Sequence, residues 1–543
     1  MRRCLVTLMV GLAALCAGAA PAYAEPGDLD PSFSSDGRVA ALNAGGFVAR
    51  AVVVQPDGRI VVGGYSCQPS DRRDGTCRTS GASSFRMLRF TADGGLDPEF
   101  GAAGIVTTAV GTGRSQAFDL LLAPDGRLVL AGVARDGGGR DGFALVRYDP
   151  SGAVDPSFGE QGVSIVGVGH GFSGIADVEP TAGGGLVAAG VGIDHDGATR
   201  FAVARYQGNG ALDGGFGSGG SVLAAPAPYA SALGTAVSPS GAVVAAGIAG
   251  ASNAAGDARV GLARLDPAGH PDPGFGAGGT ALLGIGWGTS FANAVTGLQD
   301  GRALTAGAAT DADGKQVMGF LRVTADGRLD STWDGDGTAM VRVGDGALAA
   351  DAARDAQGRL VAFGQTASGG ADWRFAVTRL SPEGFLDAGF GTGGVAITAF
   401  PGTSMARATA GALTPDGRLV AAGVACAGGG HGAQCEGGAP RLALARFQGG
   451  GDPRPLQPPP ARAPIQLAPW VAVTFPARAP RRPLHIRLRV ECLQAVRCAV
   501  RLKVRTRGRR RTEWLARGRV RVPAGGARTV TLRLLRTARH LVR

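Results

Sequence analysis

The apolar positions of this chain fall in short runs bounded by Gly, Pro and Asp, not at the spacing of a helix face. Residues 116–123, 127–133, 143–148 and 162–166 illustrate the pattern, separated by a Pro124-Asp125-Gly126 turn, a polar loop and an Asp155-Pro156-Ser157-Phe158-Gly159 connection. Aliphatic and β-branched runs between such punctuation predict four short strands. The third strand is apolar on both faces, Phe143 and Leu145 against Ala144 and Val146, as a sheet packed between two neighbours requires. The turn joins the first two strands in a tight hairpin, because proline presets φ for a type I turn and the glycine takes the left-handed position that follows.

This unit recurs along the chain. Leu-Asp-Pro-x-Phe-Gly-like strings carry Asp30, Asp97, Asp155, Asp213, Asp272, Asp330 and Asp387, about 58 residues apart from Asp97 on, a period that means propellers or solenoids. Turn glycines keep the same phase at Gly58, Gly126, Gly184, Gly241, Gly301, Gly358 and Gly417, as do arginines closing the third strand at Arg89, Arg147, Arg205, Arg264, Arg322, Arg379 and Arg446. All but the last of these arginines stand eight residues before a motif aspartate; Arg446 has Arg454 there, so its partner in a closed ring is Asp30. The last unit ends at Phe447 with three strands, whereas a strand at 37–42 precedes the first hairpin. The N-terminal strand is therefore expected to complete the final blade, which also hides an open sheet edge. A charged pair present in every repeat braces the fold rather than performing chemistry, because an enzyme needs one site.

The strings Leu96-Asp97-Pro98-Glu99-Phe100-Gly101, Pro124-Asp125-Gly126-Arg127 and Phe143-Ala144-Leu145-Val146-Arg147-Tyr148-Asp149 resemble the Delta-60 repeat family of secreted bacterial β-propeller proteins over roughly residues 28–447. The resemblance implies a propeller of unassigned biochemical role and carries no catalytic residues to transfer. The expected fold class is all-β: a seven-bladed β-propeller of four-stranded blades closed by the N-terminal strand, followed by a small Ig-like β-sandwich that the chain does not complete.

Four segments are expected. Residues 1–24 read as a signal peptide, with Arg2 and Arg3 before an apolar stretch and Ala22-Tyr23-Ala24 as the cleavage site. Residues 25–448 form the propeller, 449–464 a Gly/Pro-rich linker, and 465–543 a basic β-sandwich-like domain. From Asp452 on there are 23 Lys and Arg against 3 Asp and Glu, so the basic character of the chain belongs to its tail and the rest is mildly acidic. The tail alternates apolar and charged residues, as in Val500-Arg501-Leu502-Lys503-Val504-Arg505, and resembles Ig-like modules appended to exported actinobacterial proteins. Such a face suits an anionic envelope polymer. It is equally a solvated strand face in an arginine-rich composition, with Lys315 and Lys503 as the only lysines.

Export and close spacing predict three disulfides, Cys67 with Cys77, Cys426 with Cys435 and Cys492 with Cys498. Zinc lacks its ligand spacing, and His431 is the sole nearby histidine. Calcium is a minor candidate at Asp194-His195-Asp196-Gly197, Asp311-Ala312-Asp313-Gly314 and Asp334-Gly335-Asp336-Gly337, none of which has the acidic residue that finishes an EF-hand loop. No other cofactor is expected, and no elbow, phosphate loop or nucleophile with a base is present.

Seven residues before each turn glycine, on the innermost strand, stand Ala51, Asp119, Asp177, Gly234, Ala294, Asp351 and Ala410. Asp119, Asp177 and Asp351 are the candidate ligand-binding residues, forming an acidic channel mouth for a cation or polyol. The competing reading has them hydrogen-bonding local backbone. The variable connections, of which 66–84 and 425–440 are the longest, lie on the face opposite the repeated turns; those two belong to the first and last blades, so the closure seam is the expected binding patch. The function expected is an exported monomeric binding or scaffold propeller, its partners an envelope polysaccharide or protein and not nucleic acid. The rival is an exported lyase or hydrolase acting on carbohydrate or lactone at the channel mouth.

Overall fold

The computed structural model describes residues 24–40, 46–67, 72–73, 76–77, 82–252, 256–369, 372–426 and 440–450, together with strands at 471–474, 485–492, 498–505, 514–522 and 527–533. All of the expected signal peptide but Ala24, and most of the linker, therefore lie outside the described residues. The chain divides into two units, Met1–Pro458 and Pro459–Arg543.

The first unit is all-β, a propeller of antiparallel sheets. Five four-stranded sheets follow one another over 47–108, 115–166, 173–224, 229–283 and 290–341, each in simple up-and-down order. An eight-stranded sheet follows, built from Gly346–Arg354, Leu360–Ser368, Asp372–Leu380, Val395–Thr398, Met405–Leu413, Leu419–Cys426, Pro440–Phe447 and the N-terminal Arg38–Val39. Its halves meet at a single parallel bridge, Trp373 to Met405. The N-terminal strand pairs with the last one, Arg38 opposite Ala445 and Val39 opposite Leu444; residues 41–42 of the expected strand are outside the described set.

The hairpin turn has the predicted geometry. Gly126 stands at φ 84° and donates to the Ala123 carbonyl at 2.9 Å, while Ala123 donates to Arg127 at 2.8 Å. Apolar residues pack between neighbouring sheets: Ala144 and Val146 join the cluster shared with the preceding sheet, and Phe143 and Leu145 the cluster shared with the following one. A third cluster unites Phe47, Ile60 and Phe90 of the first sheet with Val420, Leu442, Leu444 and Phe33. The two ends of the unit thus share one core.

The arginine and aspartate columns meet as predicted. Arg89 pairs with Asp97 at 2.8 Å, Arg147 with Asp155 at 2.9 Å, Arg205 with Asp213 at 2.8 Å and Arg322 with Asp330 at 2.8 Å. Each guanidinium also lies over the motif aromatic, as Arg89 does over Phe100 at 4.5 Å and Arg322 over Trp333 at 5.9 Å. A further donor reaches the next repeat: Arg89 Nη1 to the Pro150 carbonyl at 2.6 Å, Arg322 Nη1 to that of Pro382 at 3.2 Å. One side chain therefore fixes its own corner and the adjoining unit, which gives a buried cation partners on several sides.

A feature not read from the sequence shapes the centre. Every innermost strand carries a β-bulge, the register shifting between Ala49 and Ala51, Ala117 and Asp119, Ile175 and Asp177, Ala349 and Asp351, and at matching positions elsewhere. The partner of the residue before the bulge is always glycine, including Gly64, Gly132, Gly190 and Gly364. A Cβ on Gly364 would stand 2.0 Å from the Leu348 carbonyl oxygen, so the strands approach too closely there for any side chain.

In the second unit, Val471–Thr474, His485–Cys492 and Ala527–Arg533 form a three-stranded antiparallel sheet, and Cys498–Arg505 pairs with Trp514–Val522.

Candidate functional site in the central cavity

The bulges turn side chains toward the axis, since the extra residue twists and re-aims its strand. A cavity of about 170 Å³ results, ringed by all the innermost strands and lined by Arg50, Phe118, Asp119, Asp177, Glu179 and Asp351 among others. The three predicted carboxylates do converge on one space. Each is half-buried, with the cavity on its open side.

Their hydrogen bonds decide what they can do. Asp119 Oδ2 accepts the Val178 amide of the next sheet at 2.9 Å, Asp177 Oδ2 accepts the Thr235 amide at 2.5 Å, and Asp351 Oδ2 accepts the Gly411 amide at 2.9 Å. Each carboxylate therefore ties its innermost strand to the next around the ring. Where the column holds no acid, the bulge residue can do similar work: Asn293 Nδ2 donates to the Ala349 carbonyl at 2.7 Å and Thr409 Oγ1 to that of Ala49 at 3.0 Å. The backbone-bonding alternative weighed from sequence is what the geometry realises, both locally, with Asp177 Oδ1 accepting the Val178 amide at 3.1 Å and Asp351 Oδ1 the Ala352 amide at 2.7 Å, and between neighbouring sheets.

Enclosure also perturbs the acids. Burial raises Asp119, and burial together with the charges of Asp119 and Glu179 raises Asp177 well above the ordinary carboxylate range. Burial, then the Asp119 and Asp351 charges, pushes Glu179 up to about 7. Burial raises Asp351 to about 6, against the opposing amide bonds from Gly411 and Ala352. Glu179, Arg50 and Phe118 were not singled out from sequence. Arg50 and Phe118 stand one residue before the column, where Arg50, Phe118, Ala176, Leu233, Asn293, Ala350 and Thr409 occupy the bulge, and Glu179 two residues after it.

The calcium candidates fare differently. Asp194 uses Oδ1 on the Asp196 and Ala198 amides, at 2.9 and 2.8 Å, and Oδ2 on Arg200 at 2.8 Å. Asp313 and Asp311 both face Arg342, at 2.6 and 2.5 Å. A guanidinium thus occupies the side of these turns that a cation would need. Among the described residues no group of three or more His, Cys, Asp or Glu converges as a metal requires.

Antiparallel order puts the repeated turns and Asp-Pro connections at one end of the sheets and the variable connections at the other. On that variable face Trp287 is 73% exposed and Phe172 39%, the latter under Arg114 at 6.0 Å. His170 and His195 meet edge to face at 5.7 Å. Cys67 and Cys426, at the two long connections, are each disulfide-bonded. Their expected partners Cys77 and Cys435, and the Cys492 with Cys498 pairing, concern side chains outside the described residues. No helix of the described residues is long and apolar enough to cross a membrane.

Residues 74–100, 123–158, 184–216, 239–275 and 298–332 match the family described as "Domain of unknown function (DUF5122) beta-propeller". No curated protein matches. Among solved structures, a protein of unknown function from Dyadobacter fermentans shares 12% identity over 76% of this chain and 97% of its own, at TM-score 0.41. A glucose dehydrogenase shares 15% over 75% and 99% at TM-score 0.33, and a family PL25 ulvan lyase 11% over 75% and 96% at TM-score 0.34. Their printed names say nothing of what this chain binds or catalyses. The chain carries five matched repeats of the DUF5122 β-propeller group, to which the Delta-60 repeats belong.

Proposed function

We propose that this is an exported, seven-bladed propeller that serves as a binding or scaffold module at the cell envelope and grips its ligand on the variable face near the closure seam. The eight-stranded sheet counts as two blades joined at the Trp373 to Met405 bridge. The observation that carries the binding reading is the use of Asp119, Asp177 and Asp351 as acceptors for the next strand's amides. Carboxylates committed in that way hold the ring together and leave the variable loops as the part free to recognise a partner. Residues 1–24 as a signal peptide, the two disulfide-bonded cysteines and the basic tail support an extracellular address. The tail, read as an Ig-like sandwich, would hold anionic envelope polymer.

The test is capture by purified envelope fractions, with and without the residues after Gly449. Capture that survives truncation of the tail supports recognition by the propeller; failure of both forms to be captured contradicts the proposal. One observation favours the enzymatic rival, namely that Asp119, Asp177 and Glu179, all raised by burial, line one cavity. Turnover of a carbohydrate or lactone, abolished by Asp177→Asn or Glu179→Gln, would decide for it.

A further inference from the structure

One end of the cavity holds a guanidinium that forms no ion pair among the described residues, although four carboxylates line the same space. Arg50 occupies the bulge of Phe47–Val54, and its guanidinium carbon lies 5.6 Å from the Phe118 ring centroid and 5.7 Å from that of Tyr65. Nη2 donates to the Tyr65 hydroxyl at 3.3 Å, while Nε is buried with no acceptor. Arg50 forms no ion pair among the described residues, in contrast to the arginines of the repeat column, each seated on its aspartate. Tyr65 lies opposite Val48, two residues from Arg50 toward the variable face, so the guanidinium leans to that end of the cavity.

A half-buried guanidinium lacking an anion is a costly arrangement, and stacking on two rings offsets only part of it. It also fixes the plane of the fork, which is the preorganisation that bidentate recognition of an oxyanion needs. Beside it Phe118 offers an apolar ring face, and Asn293, Thr235 and Thr409, whose donors are spent on the Ala349, Val244 and Ala49 carbonyls, keep acceptor oxygens for ligand hydroxyls.

We propose that Arg50, Phe118 and Tyr65 form an anion-receiving site at the channel mouth whose ligand is a carboxylate borne on a polyhydroxylated ring, a sugar acid of the uronate class. The proposal rests on the reading of the unit as a binding module, places a ligand at the variable-face end of the cavity in addition to the loops, and names its class. A cavity of this size takes one terminal sugar residue rather than the middle of a chain.

Glucuronate and glucose are the probes, titrated calorimetrically into the full-length protein at low salt. Glucuronate is expected to bind at least roughly tenfold more tightly than glucose, and Arg50→Ala to weaken it by roughly tenfold or more, with Arg50→Lys in between because charge remains but the fork is lost. Equal affinity for the two sugars, no glucuronate binding, or unchanged affinity in a folded Arg50→Ala overturns the proposal. If that variant melts early, Phe118→Leu must weaken glucuronate several-fold, and unchanged affinity there overturns it equally. Envelope capture measured in parallel separates the two ideas: capture without glucuronate affinity removes only the anion site, whereas absence of capture removes the binding reading itself.

Discussion

Arg446 Nε donates to Asp30 Oδ2 at 2.7 Å across 416 residues of chain. Its guanidinium lies 4.7 Å from the Phe33 ring centroid, Nη2 reaches Ser32 Oγ at 3.0 Å, and Nη1 bonds the Ala92 carbonyl of the first sheet. Arg418 adds a second cation on Asp30 at 2.8 Å. The arginine of the last repeat thus treats the N-terminal aspartate as every internal arginine treats its own, and the same brace that joins successive repeats joins the two ends.

Removing that brace should open the unit at one place. With side-chain exposures of 4% and 3%, the pair is buried, and Arg446→Ala leaves Asp30 only the more exposed Arg418, a loss of about 1.5–3 kcal/mol. Arg205→Ala should cost less, since Arg205 and Asp213 are 21% and 32% exposed. Urea unfolding with limited proteolysis checks this. The Arg446 variant should release the N-terminal segment first; the Arg205 variant should not.

Stability should peak in mildly acidic solution. Burial alone would raise Asp30, but hydrogen bonds from Arg418 and Ser32 and the charge of Arg446 hold it at about 2, below its ordinary 3.8. Its stabilisation is present above the unfolded value and is lost as pH falls through about 2. Asp351 and Glu179 act oppositely: raised to about 6 and about 7, they bind protons more readily folded than unfolded, so stability declines as pH rises from about 4 through 7. Melting temperatures measured from pH 3 to 8 should fall on both sides of a maximum. The decline on the alkaline side should flatten in Glu179→Gln combined with Asp351→Asn.

The inter-sheet amide bonds of the cavity make a separate prediction. Asp351→Ala strips the Gly411 amide of its acceptor and should cost about 1–3 kcal/mol, whereas Asp351→Asn keeps an acceptor oxygen and should cost less. Chemical denaturation of both variants near pH 5, where the native carboxyl is largely protonated, makes the comparison.

Gly364→Ala should destabilise more than an ordinary strand glycine replacement. The added methyl would collide with backbone, the Leu348 carbonyl, which no rotamer change relieves. Gly137→Ala, at a loop glycine whose Cβ meets nothing within 4 Å, is the matched control. A thermal melt of each variant tests the contrast.

Much of this architecture was legible because it repeats. Period, turn glycines, the eight-residue offset from arginine to aspartate and the inference that Arg446 must seek Asp30 follow from residues that recur in phase. The bulges were not legible in any single strand, since an extra residue changes pairing without changing composition. Gly64, Gly132, Gly190 and Gly364 betray them only when the repeats are aligned. Asp119, Asp177 and Asp351 were found by the same alignment, yet their partners are amides of neighbouring strands, which carry no side-chain signature. Arg50 and Glu179 each occur once in their column, and a feature without repetition is invisible to a method that reads repetition.

The claim on which the rest turns is that Arg38–Val39 closes the unit by pairing with Pro440–Phe447. Val39 and Leu444 are directly opposed, so Val39→Cys with Leu444→Cys, purified under oxidising conditions and digested for mass spectrometry, measures the closure directly. A disulfide linking positions 39 and 444 within one chain is the predicted result. Thiols that stay free, or that link only between chains, would contradict it.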